Sequence, residues 1–163
     1  MTIPVTANQE LFMANDAMAI FDRAATRARE AGHGYAGDLS PVEAFALFGG
    51  VPEARLIDVR TAPEIEFVGL VPDSLHIPWQ IYPDMQINPA FADDILARAS
   101  SDDVLMFLCR SGARSVAAAT FMTARGCSRC YNVLEGFEGG KDAQGRRGFK
   151  EGWKVAGLPW INL

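Results

Sequence analysis

The residues with the clearest chemical potential are a cysteine and two arginines in one short loop. Cys109 ends the apolar run at 104–108, and Arg110 and Arg114 follow it with Gly112 between them. Glycine can adopt positive φ angles, so the amides of this loop can turn inward and form an anion-binding nest. The two guanidinium groups add positive charge that does not titrate near neutral pH. The loop therefore predicts a cysteine held as a nucleophilic thiolate.

The segment after the loop also favours an ionised Cys109. Residues 114–125 have high helix propensity, and the positive end of the helix dipole would face the cysteine. The structural alternative is that Cys109 is only a small buried side chain at a strand end. A polar and doubly basic loop directly after an apolar strand costs stability, however, unless it binds an anion. The pattern therefore favours a chemical role for Cys109.

Strands and helices alternate on either side of this loop. The sequence predicts, in chain order, a helix at 8–31 whose apolar residues include Leu11, Phe12 and Ala14, a capped helix from 40–43 to about 47, a strand at 55–59, a helix at 62–67, a strand at 74–77, a helix near 90–99, a strand at 103–108, a helix at 114–125 and a strand at 130–134. Such alternation predicts an α/β fold, with a parallel sheet and helices on both faces. Open parallel sheets bind ligands at the carboxyl ends of their strands, which brings Asp58 and Glu135 to the same edge as Cys109.

Several segments resemble those of the rhodanese-like sulfurtransferases. The motifs that carry the resemblance are CRSGARS at 109–115 for the active-site loop, LIDVR at 56–60 with Glu64, LHIP at 75–78, YNVLEGF at 131–137 and GWKVAGLP at 152–159. They span about residues 38–160. The resemblance implies an open parallel five-stranded sheet with the cysteine-bearing strand in the centre. We divide the chain into an N-terminal helical extension, 1–37, and a rhodanese-like domain, 38–163.

The resemblance implies a sulfurtransferase that works through a Cys109 persulfide. The thiolate would take the outer sulfur of thiosulfate or another small anionic donor and pass it to a thiol or a carrier protein. No cofactor or metal is needed, because the nucleophile is already ionised. The donor would be bound by Arg110, Ser111, Gly112, Ala113 and Arg114. Asp58, Arg60 and Glu64 are expected to brace the loop. Glu64 lies four residues after Arg60, within reach of an ion pair with it.

Two segments depart from the family pattern. GLVP at 69–72 stands where the family often has Gly-His, and the segment 138–150 is longer than in the shortest members. Because that segment is glycine-rich and basic, it forms either a solvated loop or an edge of the active-site mouth. The sequence leaves both alternatives open.

A second cysteine motif invites a different interpretation. Cys127 and Cys130 have the spacing of a redox pair or half a zinc site, but a zinc site needs two more ligands. The remaining candidates in the sequence are Cys109 and two distant histidines, His33 and His76. We therefore expect two structural cysteines and no metal. A resolving role toward a Cys109 persulfide is the weaker hypothesis, and neither histidine is assigned a role.

Composition limits the class of protein and its partners. With 163 residues, 49% of them hydrophobic and 21% charged, the chain is typical of one globular domain. A formal net charge of −5 argues against nucleic acid or an anionic membrane as a partner. We find neither an apolar run of membrane-spanning length nor a signal-peptide pattern. Three cysteines are too few for a secreted disulfide scaffold, so we expect a cytoplasmic protein of undetermined oligomeric state.

Two other functional classes remain. Cysteine-based phosphatases and arsenate reductases of the same fold place five residues between cysteine and arginine, whereas four separate Cys109 from Arg114. The smaller loop suits a sulfane sulfur better than a phosphoryl group. The other alternative is a non-catalytic module for sulfur relay or protein binding. Retention of the cysteine and both arginines argues against an inactive domain.

Overall fold

Strands and helices alternate along the chain as the sequence predicts. The computed structural model describes the backbone from residue 7 to residue 163 and side chains from residue 16 onward. Its elements are α1 (Ala7–Glu30), β1 (Gly37–Leu39), α2 (Pro41–Gly50), β2 (Ala54–Asp58), α3 (Ala62–Val68), β3 (Leu75–His76), β4 (Gln80–Ile81), β5 (Gln86–Ile87), α4 (Phe91–Leu96), β6 (Val104–Leu108), α5 (Ala113–Thr123) and β7 (Cys130–Val133).

Five of the strands form one parallel sheet, in the order β1-β7-β6-β2-β3. The strand that precedes Cys109, β6, lies in the middle of this sheet. The predicted α/β architecture, a five-stranded parallel sheet with a central cysteine-bearing strand, is therefore confirmed. Strands β4 and β5 form a separate antiparallel pair.

Strand β6 is apolar throughout because helices cover the sheet on both faces. Leu105 and Phe107 pack in the core with residues of α4 and α5, whereas Met106 and Leu108 pack in the core with residues of α2. All five residues of the strand are buried. A strand covered on both sides needs no alternation of polar and apolar residues. The side chain of Cys109 continues the α5 face.

Helix α1 packs against the edge strand β1 of the same sheet. Ile20, Ala24 and Ala28 are buried, and they contribute to both cores. A Cβ at Gly37 would lie 2.7 Å from the Cβ of Ala24, so the close approach of α1 to β1 requires glycine there. The side chains of Leu11, Phe12 and Ala14 lie outside the described residues. The boundary between 37 and 38 stays a prediction.

The structure differs from the sequence prediction mainly in short elements. Strand β1 and the β4 and β5 pair were not predicted, and the helix expected near 90–99 ends at Leu96. The capping box that begins α2 is present, because Ser40 Oγ accepts from the Glu43 amide and Glu43 accepts from the Ser40 amide. Within the part of the chain that the structure describes, no helix has the length and apolarity needed to cross a bilayer.

Candidate active site

Cys109 lies at the carboxyl end of the central strand, and the loop after it turns directly into α5. Gly112 is the N-cap of α5 with a φ of 113°, a backbone conformation that glycine adopts readily and other residues rarely adopt. Its amide donates to Cys109 Sγ at 3.0 Å. The Ser115 hydroxyl lies 3.2 Å from the same sulfur. The sulfur therefore has a backbone donor and a hydroxyl partner from the first turn of α5.

The sulfur lies beneath its loop. Cys109 is 1% exposed, whereas Arg110 and Ala113 are exposed and Ser111 is partly buried. The outer surface of the loop thus meets solvent while the sulfur does not. A molecule can reach the sulfur only between the loop residues or after those residues move.

Arg114 binds Glu64 at the start of α3. The two terminal nitrogens of Arg114 donate to the two carboxylate oxygens of Glu64 at 2.8 and 2.7 Å. Glu64 also accepts from the Thr61 amide at 2.9 Å. This bidentate pair ties the first turn of α5 to the first turn of α3. Arg60, four residues before Glu64, has a different partner. That Arg114 binds a donor stays a prediction.

The same contacts set the charge state of Glu64. Burial raises the pKa of this carboxyl, but the hydrogen bonds from Arg114 and from the Thr61 amide outweigh burial and lower the pKa from 4.5 to about 2. Because the folded pKa lies below the unfolded one, this stabilisation is complete above about pH 4.5 and is lost as the pH falls towards 2.

The replacement Glu64→Gln is therefore expected to flatten the acid dependence of stability. Urea unfolding between pH 5 and 2 measures the free energy of unfolding, and the variant should lose less of it than the wild type over that window. Glu66→Gln, exposed on the same helix, is the matched control and should follow the wild-type profile. Equal slopes for Glu64→Gln and the wild type would contradict the assignment.

Asp58 and Arg60 form a buried pair at the end of β2. Arg60 Nε and Nη2 donate to the two Asp58 oxygens at 2.9 and 2.6 Å, and Nη2 also donates to the carbonyl of Gly69 at 2.8 Å. Both side chains are almost fully buried. The guanidinium carbon lies 4.1 Å from the ring centroid of Phe137, whose amide donates to the Cys109 carbonyl at 2.8 Å. The pair thus packs against the residue that holds the base of the loop.

The segment after β7 borders the Cys109 loop. The amides of Glu138 and Gly139 both donate to the carbonyl of Arg110 at 3.1 Å. Gly136 has a φ of 70°, and a Cβ there would lie 2.4 Å from the carbonyl carbon of Arg110, so only glycine allows this approach. The start of the segment 138–150 thus lies against the loop, whereas most of 141–150 is exposed. That the segment borders an active-site mouth stays a prediction.

The sequence matches the rhodanese-like domain family over residues 42–143, which is more than half of the chain. The chain belongs to the rhodanese-like domain family. The CRSGARS motif, the central position of β6 and the geometry of the Cys109 loop agree with this assignment.

Relatives of this rhodanese-like protein include both an enzyme and proteins without an assigned activity. An uncharacterised protein of Rickettsia conorii is 34% identical over 125 residues, covering 76% of this chain and 95% of that protein. A thiosulfate sulfurtransferase of Pseudomonas savastanoi is 34% identical over 85 residues, covering 52% of this chain and 70% of that protein. The crystal structure of Rv0390 from M. tuberculosis is similar with a TM-score of 0.73 at 38% identity, covering 80% of this chain and all of that one.

The other two cysteines of the rhodanese-like domain lie in its core. Cys127 and Cys130 are both buried, and neither forms a disulfide. Burial raises the pKa of both thiols, that of Cys130 to about 12. In residues described by the structure, no group of three or more His, Cys, Asp or Glu side chains is placed to hold a metal ion. These thiols have the environment of structural cysteines.

Three polar residues behind Cys109 were not predicted as site residues. Ser115 donates to Asn132 Oδ1 at 2.6 Å, and Asn132 Nδ2 donates to Asp38 at 3.0 Å. All three are buried. Ser115 could have been found as a hydroxyl within CRSGARS, and Asn132 as an amide in an otherwise apolar strand. For Asp38 the sequence offers no signal, since it lies in the unpredicted strand β1.

Proposed function

We propose that this protein is a sulfurtransferase that carries a sulfane sulfur on Cys109. The observation on which the proposal rests is the sulfur at the end of the central strand, with the Gly112 amide 3.0 Å away and the N-terminus of α5 behind it. An amide donor and a helix N-terminus both stabilise a sulfur anion. Similarity to a thiosulfate sulfurtransferase supports the same chemistry.

The reaction proceeds in two displacements. The Cys109 thiolate attacks the outer sulfur of thiosulfate, so that a new S–S bond forms while the bond to the sulfonate sulfur breaks. Sulfite leaves with the electron pair, and Cys109 becomes a persulfide. A thiolate acceptor, either a small thiol or a carrier protein, then attacks the outer sulfur and releases the Cys109 thiolate.

The exposed part of the loop is the proposed binding site for the anionic donor. Arg110 and Ala113 are exposed, and Ser111 between them is partly buried. The net charge of −5 repels anions at long range, so attraction must come from this loop. Arg114 contributes positive charge that Glu64 partly compensates.

A phosphatase activity is the less favoured alternative. A phosphoryl group needs an arginine free to bind two oxygens, and the terminal nitrogens of Arg114 already bind Glu64. The loop has four residues between Cys109 and Arg114, which makes a smaller cradle.

The three free cysteines fit the reducing cytoplasm, where we place the reaction.

Intact-mass spectrometry after thiosulfate treatment tests the proposal. We expect a gain of one sulfur atom, located on Cys109 by peptide mapping and removed by cyanide. Cys109→Ser is the control and should gain nothing. A sulfur gain that survives in Cys109→Ser, or hydrolysis of an aryl phosphate above the Cys109→Ser background, would overturn the assignment.

A further inference from the structure

A basic and largely exposed segment lies beside the loop of the candidate active site. Residues 138–150, which we call the basic segment, carry four basic side chains and two acidic ones, in a chain whose formal net charge is −5. Lys141, Arg146 and Lys150 are exposed, and Arg147 is partly buried. The basic segment is therefore a local positive region on a protein with an excess of negative charge.

Hydrogen bonds hold both ends of the basic segment against the Cys109 loop. The amides of Glu138 and Gly139 donate to the Arg110 carbonyl, and the Gly148 amide donates to the Glu138 carbonyl at 2.8 Å. Arg147 Nη1 donates to the Gly139 carbonyl at 2.8 Å. Each lysine of the segment is two residues from one of these anchored glycines, so its Cα lies within about 7 Å of that glycine. The positive charges are thus fixed at the border of the loop.

The acidic side chains of the basic segment are less exposed than most of its basic ones. Asp142 accepts from two backbone amides of the segment at 2.9 Å and from Arg146 Nε at 3.1 Å. The Asp142 side chain is 14% exposed, whereas that of Arg146 is 57% exposed. Glu138 is partly buried, and the neighbouring Glu151 is less exposed than Lys150. The solvent-facing surface of the segment is therefore positive.

We propose that the basic segment docks an acidic, thiol-bearing protein segment that accepts the sulfur from Cys109. The inference rests on the proposed function, since it names the acceptor of the persulfide formed there. Carboxylates on such a partner complement the exposed charges of the basic segment. Thiosulfate cannot span charges distributed over ten residues. The ring of Phe149, 64% exposed and 4.5 Å from the Arg146 guanidinium, also offers apolar area that a macromolecule covers and a small anion does not.

Docking acts on the encounter that precedes the transfer step. In that step the acceptor thiolate attacks the outer sulfur of the Cys109 persulfide, so that an S–S bond forms on the acceptor. The bond to Cys109 Sγ breaks, and the Cys109 thiolate leaves with the electron pair. A docked partner keeps its thiol at a high effective concentration near this sulfur. Charge on the partner should therefore change the second-order rate of transfer.

Sulfur transfer from the Cys109 persulfide to two synthetic peptides measures this effect of charge. One peptide has a single cysteine between two runs of three glutamates, and the other has glutamines in place of the glutamates. Each rate is divided by the thiolate fraction of its peptide. We expect the acidic peptide to react about tenfold faster at low salt, and the two peptides to react at about equal rates in about 0.5 M salt.

Two double variants with equal net charge separate local from global electrostatics. Lys141→Gln with Lys150→Gln should lower the ratio of the two peptide rates about threefold at low salt. Arg98→Gln with Arg125→Gln is the matched control, because these exposed arginines lie where the chain enters β6 and β7, at the amino ends of the strands. It should leave the ratio at the wild-type value. Transfer to 2-mercaptoethanol, an uncharged thiol, should be unchanged in both double variants.

An NMR titration measures docking without sulfur chemistry. When the folded Cys109→Ser variant is titrated at low salt with the acidic peptide carrying serine for cysteine, the largest backbone amide shifts should fall in 141–150 and 110–113. Unshifted amides in 141–150 would overturn the proposal, whatever thiosulfate does to the wild type. Failure to form a persulfide contradicts the proposed function instead, and leaves the titration as the test of docking.

Three kinetic outcomes would also overturn the proposal. The first is an equal rate for the two peptides at low salt. The second is an equal loss of the ratio in the two double variants, which would make net charge the cause. The third is slower persulfide formation from thiosulfate in Lys141→Gln with Lys150→Gln while the peptide ratio stays unchanged, which would assign the basic segment to the donor.

Discussion

Cys109→Ser is expected to lower the rate of sulfur transfer from thiosulfate to cyanide by at least about a thousandfold. Serine keeps the size and the hydrogen bonds of the side chain, but its hydroxyl is not ionised at neutral pH and forms no persulfide. The Gly112 amide and the α5 N-terminus stabilise an anion only where one can form. A colorimetric assay of thiocyanate formation, which follows transfer of sulfur to cyanide, gives the rate.

Cys127→Ala is the matched control for this variant. Cys127 is buried like Cys109, but it lies in the turn between α5 and β7, and burial raises the pKa of its thiol. We expect sulfur transfer close to the wild-type rate. The proposed mechanism fails if Cys109→Ser keeps more than about a hundredth of the wild-type rate. It also fails if the control loses activity to the same degree while remaining folded.

Asp58→Ala is expected to destabilise the fold by about 3–5 kcal/mol, because it leaves the buried Arg60 guanidinium without its counter-charge. One nitrogen of that guanidinium, Nη1, already has no hydrogen-bond partner within the described part of the chain. A domain of this kind has about 5–15 kcal/mol of total stability, so the loss is a large share. Urea unfolding at pH 7 measures the change.

Two further variants test whether the uncompensated charge of Arg60 causes the loss of stability. The double variant Asp58→Ala with Arg60→Met removes the stranded charge and should recover part of the lost stability. Glu53→Ala removes an exposed pair with Arg129, 3.6 Å apart, and should change the unfolding midpoint little. If the double variant is as unstable as Asp58→Ala, loss of packing rather than an uncompensated charge causes the destabilisation.

The strands and helices could be predicted where local sequence decides them. The apolar run Val104–Leu108 predicts a strand buried on both faces, because its side chains are apolar on whichever face they lie. The capping box at Ser40 and Glu43 likewise involves residues three positions apart. Strand β1 could not be predicted, since Gly37 and Asp38 have low strand propensity. Its extended conformation comes from pairing with β7, and Asn132 of β7 is 94 residues after Asp38.

The sequence by itself determined the position of the candidate catalytic cysteine, the basic loop after it and the family resemblance, because all of these depend on short contiguous motifs. Only the tertiary structure decided which side chains are partners. Arg114 binds Glu64, which is 50 residues away, and Ser115 hydrogen-bonds Asn132, which in turn hydrogen-bonds Asp38. The order of strands in the sheet brings these residues together although they lie far apart in the sequence. Local spacing does not encode that order, and so the hydrogen bonds that orient the site emerge only when the sheet is assembled.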